Sequence, residues 1–211
     1  MEATLTPTSA LLLDKLFSEE VLTIDISNTI IFQEMAPCNS ILRQCDISND
    51  FFESLNITNT TTISFMRPNF YIKSMHNLRI EVFKTDIIFT YTLEECILER
   101  KINIFNSELK ILHFNTLSII HLENDYQMIK EIESDIEISV RNNILKYNNR
   151  NIILKRKVDC NDFNIIVNGK KIRKIIEQSF HFYDNLLLVE ESIVAFIMKD
   201  SNVIFKVFMS I

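Results

Sequence analysis

The chain of 211 residues carries 22 Lys and Arg against 28 Asp and Glu, a formal net charge of −6, and 47% of it is hydrophobic. That length fits one large domain or two of about 100 residues, and the evenly spread apolar content excludes a largely disordered polymer. A single glycine, Gly169, excludes both G-x-G-x-x-G and G-x-x-x-x-G-K-[ST] phosphate loops, and with them nucleotide hydrolysis and dinucleotide redox chemistry by those routes.

"MEATLTPTSALLLDKLF" lacks a basic n-region and its apolar stretch is broken by Asp14 and Lys15, so it does not read as a signal peptide. Residues 7–17 read as a short helix, with Pro7 near its start and Thr8 or Ser9 as N-cap. "VLTIDIS" alternates Leu22, Ile24 and Ile26 with Thr23, Asp25 and Ser27, the pattern of a half-buried strand. "NTIIFQEM", "SILRQCDI" and "TTTISFM" follow as strands rich in Ile, Thr and Phe. "RPNFYIKSMHN" (67–77) reads as a second helix, with Pro68 near N1. "LRIEVF", "DIIFTYTLE" and "CILERKINIF" return to strands. "NSELKIL" marks a boundary, predicting a domain over 1–105, a connector over 106–112 and a second domain over 113–211.

In the second half, "NDYQMIKEIES" (124–134) puts Met128, Ile129 and Ile132 on one helical face. "DIEISV", "NNILKYNN", "RNIILKRKVD" and "DFNIIV" read as strands. "NGKKIRKIIEQSF" aligns Ile172, Ile175, Ile176 and Phe180 on one helical face. Lys170, Lys171, Lys174 and Gln178 then face away, with Arg173 on a flank four residues before Glu177. A hairpin turning at Asn168–Gly169 is the alternative, but Ile175–Ile176 breaks the alternation it needs. "NLLLVEE", "SIVAFIMK" and "NVIFKVFM" close the chain as strands.

The order helix–strands–helix–strands occurs twice. "LTIDISNTIIF" from Leu22 aligns with "IEISVRNNILK" from Ile136, including Ile30 with Ile144 and Ile31 with Leu145. The prediction is an α+β protein of two similar domains, each an antiparallel sheet with two helices on one face.

Cys38, Cys45, Cys96 and Cys160 form no C-x-x-C pair and read as small buried hydrophobes in a reducing compartment. His76, His113, His121 and His181 have no metal-site spacing, and no carboxylate pair suggests acid–base work. No enzyme, metal or cofactor is therefore expected. The sequons at Asn56 and Asn59 have no secretory context, and no apolar run reaches a membrane span, so a soluble intracellular protein is expected.

The two-repeat order resembles the sliding-clamp fold of proliferating cell nuclear antigen. "LLLVEESIVAFIMKDSNVIFKVFMSI" resembles the end of the hydroxyurea-sensitive subunit of the heterotrimeric DNA-damage checkpoint clamp, through Val189, Ile193, Val194, Phe196, Val203, Phe205, Val207 and Phe208. "FNIIVNGKKIRKIIE" resembles that subunit's strand and basic helix, and "LRQCDISNDFFESLNI" its early strand leading to Phe51 and Phe52. The resemblance implies a non-catalytic ring subunit in the nucleus, with helices lining a hole for double-stranded DNA. Its implied partners are two related clamp subunits, a clamp loader and repair factors.

On that reading Lys170, Lys171, Arg173 and Lys174 face DNA. Arg67, Lys73 and His76 come from the second helix of the first half, with Arg79 just after it, and Lys15 and Lys130 are the sparse cations of the two first helices. A helix N-terminus prefers anions, so local folding does not ask for the cations at 170–174, while a phosphate backbone would. The resemblance also places Lys155, Arg156 and Lys157 on one subunit edge and Ile97, Glu99 and Lys101 on its complement; edge lysines also serve simply to prevent aggregation. A homotrimeric replication clamp and a β-rich interaction module without nucleic-acid contact are the other functions that fit.

Overall fold

The computed structural model describes residues 1–38, 40–110, 112, 118–122, 134–149, 153–179, 182–190 and 192–211, apart from the side chains of 176–179. The chain forms two compact units, Met1–Ile111 with Ser201–Phe205, and Leu112–Asp200 with Lys206–Ile211.

In the first unit, β1 (Glu2–Leu5) and helix α1 (Pro7–Leu16) precede β2 (Val21–Ile26), β3 (Ile30–Met35) and β4 (Ile41–Ile47). A 3-10 turn (Asn49–Phe51), β5 (Ser54–Asn56), β6 (Thr61–Met66), β7 (Met75–Val82), β8 (Asp86–Leu93) and β9 (Ile97–Asn106) follow. The strand order is β4-β3-β2-β6-β9-β8-β7-β1-β5, antiparallel throughout. Leu22, Ile24 and Ile26 are wholly buried, as period-two alternation requires. Aromatic rings join the layers. Phe17 meets Phe32 and Phe205 at 6.1 Å, and Phe70 meets Phe32 and Phe89 at 6.0 Å, mostly edge-on or tilted.

Helix α1 starts earlier than its sequence suggests. Its cap is Thr6, not Thr8 or Ser9; the Thr6 hydroxyl accepts the Ser9 N–H at 3.2 Å. Pro7 then takes N1, where its missing N–H leaves nothing unpaired.

The helix expected at 67–77 is absent. Residues 67–74 form a loop, and Met75–Asn77 already belong to β7. Met66 and Met75 are too close to hold two helical turns and their connections. The loop is fixed instead by its contacts with the first unit. Asp14 accepts from the Phe70 N–H at 2.9 Å and pairs with Arg67 at 3.3 Å. The Tyr91 hydroxyl donates to the Asn69 carbonyl at 2.5 Å, and Phe70 is wholly buried. Ser74, with φ 66°, turns the chain into β7.

A buried ion pair ties the exit of α1 to the sheet. Glu34 on β3 faces Arg43 on β4, with Arg43 Nη1 2.6 Å from Glu34 Oε1 and 3.5 Å from Glu19. The Glu34 carboxylate also accepts the N–H groups of Ser18 and Glu19, each at 2.9 Å. Gln33 is 3% exposed and holds the chain at Lys110. Its amide donates to the Lys110 carbonyl at 3.0 Å and accepts the Lys110 N–H at 2.7 Å.

The second unit contains β10 (Ser118–His121), β11 (Ile136–Arg141), β12 (Ile144–Asn148), β13 (Ile153–Lys157), β14 (Phe163–Val167) and helix α2 (Gly169–Ser179). β15 (Asp184–Val189) and β16 (Ile193–Lys199) follow, and β17 (Val203–Ser210) belongs to the second unit from Lys206 onward. Strand orders are β13-β12-β11-β14 and β10-β15-β16-β17. The helix expected at 124–134, with its Lys130, lies outside the described residues except for Ser134. One helix is therefore described in each unit, against the two expected.

The two units repeat one connectivity. The order β4-β3-β2-β6 matches β13-β12-β11-β14, and β9-β8-β7-β1 matches β17-β16-β15-β10. The first unit joins its two halves through β6 and β9, Phe65 opposite Ile104; the second has no such pairing among the described residues. The sequence alignment of the repeats slips by one residue in the second strand. Ile24 faces Phe32 and Ile138 faces Tyr147, so Ile30 corresponds to Leu145 rather than Ile144. The reason is the turn. Asn142 and Asn143, at φ 50° and 61°, form a two-residue left-handed turn, where β2 and β3 are joined through Ser27–Thr29.

The cysteines divide. Cys45 is buried as expected, Cys160 is half-buried, and Cys38 and Cys96 are exposed.

Candidate nucleic-acid interface

Helix α2 is built around its cap. Asn168 Oδ1 accepts the Lys171 N–H at 3.1 Å, and its carbonyl accepts the Ile172 N–H at 3.1 Å. Its amide nitrogen donates to Asp135 at 3.2 Å. Segment 167–180 is thus a capped helix rather than a hairpin. Ile172 and Ile175 are 1% exposed, while Lys170, Arg173 and Lys174 are exposed and Lys171 is half-buried. Lys170 and Lys174, four residues apart, share the face opposite Ile172. Neither forms an ion pair among the described residues, and the first turn has no acid. The side chains of Ile176 and Glu177 are outside the described residues. Replacing Asn168 by Ala should cost about 1 kcal/mol through loss of the cap. Thermal melts should show a lower midpoint for Asn168→Ala, with Asn168→Asp near the parent.

The first unit supplies fewer cations. Lys15 is exposed on α1, and Lys73 is exposed in the loop before β7. Arg67 is largely covered and committed to Asp14 and the Glu19 carbonyl. Arg79 does not join them. On β7 it alternates with buried Leu78 and Ile80, so it lies on the sheet face away from α1, pairing with Glu2 at 3.1 Å and Glu81 at 3.0 Å. Arg100 is a further exposed cation, not among those singled out from the sequence. It is exposed on β9, on the same face as Leu98 and Ile102, opposite Phe89 and near Tyr91. Burial pushes the Tyr91 phenol up to about 12, partly offset by Arg100, so it remains a donor. The signal for Arg100 was its position between Leu98 and Ile102 in an alternating strand.

Among the open strand edges are those that carry the residues expected at the seam. β13 pairs only with β12. β9 pairs with β8 along Ile97–Asn103, while β6 reaches only Ile104–Asn106. Ile153 and Ile97 are 64% and 67% exposed at these edges. Lys155 and Lys157 share one face of β13, whereas Arg156 points the other way and donates to the His121 carbonyl. Ile97, Glu99 and Lys101 share one face of β9, Lys101 pairing with Asp86 at 3.2 Å. The Thr85 hydroxyl, then Lys101, hold the Asp86 carboxyl below its usual range.

Among the described residues no group of three or more His, Cys, Asp or Glu is placed to hold a metal ion, and no helix is long and apolar enough to cross a membrane.

No family model and no curated protein matches the sequence. Solved structures do match the fold. The proliferating cellular nuclear antigen of Entamoeba histolytica superposes with a TM-score of 0.73 at 13% identity, covering 99% of this chain and 97% of that one. The PCNA2–PCNA3 complex of Sulfolobus tokodaii gives a TM-score of 0.74 at 9% identity, covering 100% of this chain and 98% of the matched chain. The chain therefore has the proliferating cell nuclear antigen fold.

Proposed function

We propose that this chain is a non-catalytic subunit of a ring-shaped sliding clamp of the DNA-damage checkpoint. It encircles double-stranded DNA in the nucleus, assembles with two related clamp subunits through a loader, and serves as a platform for repair and signalling proteins. The observation that carries the reading is a basic, amphipathic α2 within a clamp fold whose overall charge is −6. Neutralising phosphates with Lys and Arg gives contact without sequence preference, which suits a protein that slides. The uneven supply of cations supports a mixed ring, since α1 carries only Lys15 and partner subunits can complete the lining. The Sulfolobus complex joins two different clamp chains, a precedent for such mixing.

A second reading is a homotrimeric replication clamp, favoured by the two open edges. β13 offers Lys155 and Lys157, while β9 offers Glu99 beside the Glu94–Glu95 turn, its Lys101 being already paired with Asp86, which supports complementary charge at the two edges. Light scattering during size-exclusion chromatography separates the two. A monomer that closes only with related subunits supports the checkpoint ring, and a stable homotrimer overturns it. Lys155→Glu/Lys157→Glu should weaken whichever assembly forms, and Glu99→Lys on the facing edge should restore part of it. Assembly indifferent to both substitutions would remove these edges from the seam.

A further inference from the structure

The four-stranded sheet of the second unit buries Ile138, Val140, Leu145, Tyr147 and Ile165 on one face. Alternation puts Arg141, Lys146, Lys155 and Lys157 on the other. Register gathers them. Lys146 lies directly opposite Lys155, and Ile144 lies between Arg141 on one side and Lys157 on the other. Four cations thus occupy a block across three adjacent strands, about 4.8 Å apart from strand to strand. None forms a salt bridge among the described residues. Lys146 and Lys155, like charges directly opposite, weaken the sheet, and the attraction of Lys146 and Arg141 for Glu137 offsets only part of that.

The opposing charges nearby are few. Glu137 faces the block from β11, held by Asn148 at 2.9 Å. Asp159 and Asp162 lie in the loop after β13, and Asp162 already accepts the Asn142 N–H at 3.1 Å. The same face also carries exposed aliphatic surface, with Ile144 at 45%, Ile153 at 64% and Ile166 at 62%.

We propose that this face docks an extended acidic segment of a partner protein, one that alternates carboxylates with aliphatic side chains. Such a segment answers both the cations and the isoleucines. A phosphate backbone answers only the cations and gains nothing from the isoleucines. Lys155 and Lys157 also lie at the open edge of β13, so the test rests on Lys146 and Arg141, one and two strands further in.

The full-length chain is titrated with a short fluorescent peptide alternating Asp or Glu with Leu or Ile. A peptide with Ser in place of the aliphatics is the control, and single-stranded and duplex oligonucleotides are competitors. The aliphatic peptide should bind more tightly than the Ser control and weaken as salt rises. Arg141→Gln/Lys146→Gln should reduce its affinity about tenfold or more. Lys146→Glu, whose new partner in Lys155 offsets the attraction lost with Glu137, should weaken binding while leaving the melting midpoint near the parent's, so lost docking cannot be mistaken for lost folding. No binding by the parent chain, unchanged affinity in either variant, or an oligonucleotide displacing the peptide with higher affinity would overturn the proposal.

Discussion

Reversing Lys170, Lys171 and Lys174 to glutamate is expected to abolish most DNA retention by the assembled ring while leaving the fold at least as stable. Lys170 and Lys174 lie away from the buried Ile172 and Ile175, and half-buried Lys171, one turn before Ile175, is replaced by another long polar side chain, so core packing is little changed. Two of the new carboxylates sit in the first turn of α2, where each should gain about 0.3–1 kcal/mol from the helix dipole. Each phosphate contact contributes about 0.9 to the slope of log affinity against log salt, so losing three should flatten it by roughly 2.7. Affinity near ~0.1 M salt should fall on the order of a hundredfold. Retention measured on closed duplex circles at several salt concentrations is the check. A triple variant that keeps parental retention and slope would remove α2 from the DNA path.

The largest effect on stability is expected at Glu34. Glu34→Ala leaves Arg43 buried at 7% exposure, with its Nε already lacking a protein partner. Removing one member of a buried pair costs about 3–5 kcal/mol. For a chain of this size each kcal/mol shifts the melting midpoint by about 2–4 °C, so the midpoint should drop by roughly 6–20 °C. Glu34→Leu/Arg43→Met should recover most of it, because two packed apolar side chains leave no uncompensated charge. A parental midpoint in Glu34→Ala would show that the pair contributes little.

The same group makes stability depend on pH. Burial, the dominant cause, lifts the Glu34 carboxyl above its ordinary 4.5, against the Glu19 N–H and Arg43. The folded chain then holds the Glu34 proton more tightly than the unfolded chain. That contribution is complete below 4.5 and is lost as pH rises through the higher folded value. Parent melts should therefore lose stability over this interval more steeply than those of Glu34→Gln.

Most strands were legible because Leu, Ile and Phe alternate with polar residues in runs long enough to set a phase, as in β2 and β8. β1, β5 and β10 are too short to set one. The 67–77 segment misled because Arg67, Pro68 and Ile72 suit a helix start, while what fixes the loop is distant in sequence: Asp14, Glu19 and Tyr91. α2 was legible because the Ile172–Ile175 spacing excludes a strand, and Val167 and Asp184 leave ample room for a helix. Its cap was harder to see, since Asn168 before the only glycine also reads as a hairpin turn. The Glu34–Arg43 pair left no signal. Both residues sit at positions where alternation predicts an apolar side chain, and only the register of β3 against β4 makes them neighbours.

The scarcity of glycine bears on the denatured ensemble. Gly169 has no positive φ, and among the described residues the left-handed positions are held by Ser74, Asn142 and Asn143. An average chain carries about 7% glycine, and each one widens the set of backbone states open before folding. This chain, with one glycine in 211, has a stiffer denatured ensemble and less backbone entropy to lose on folding. Part of the force holding its sheets together therefore acts on a state in which no sheet exists.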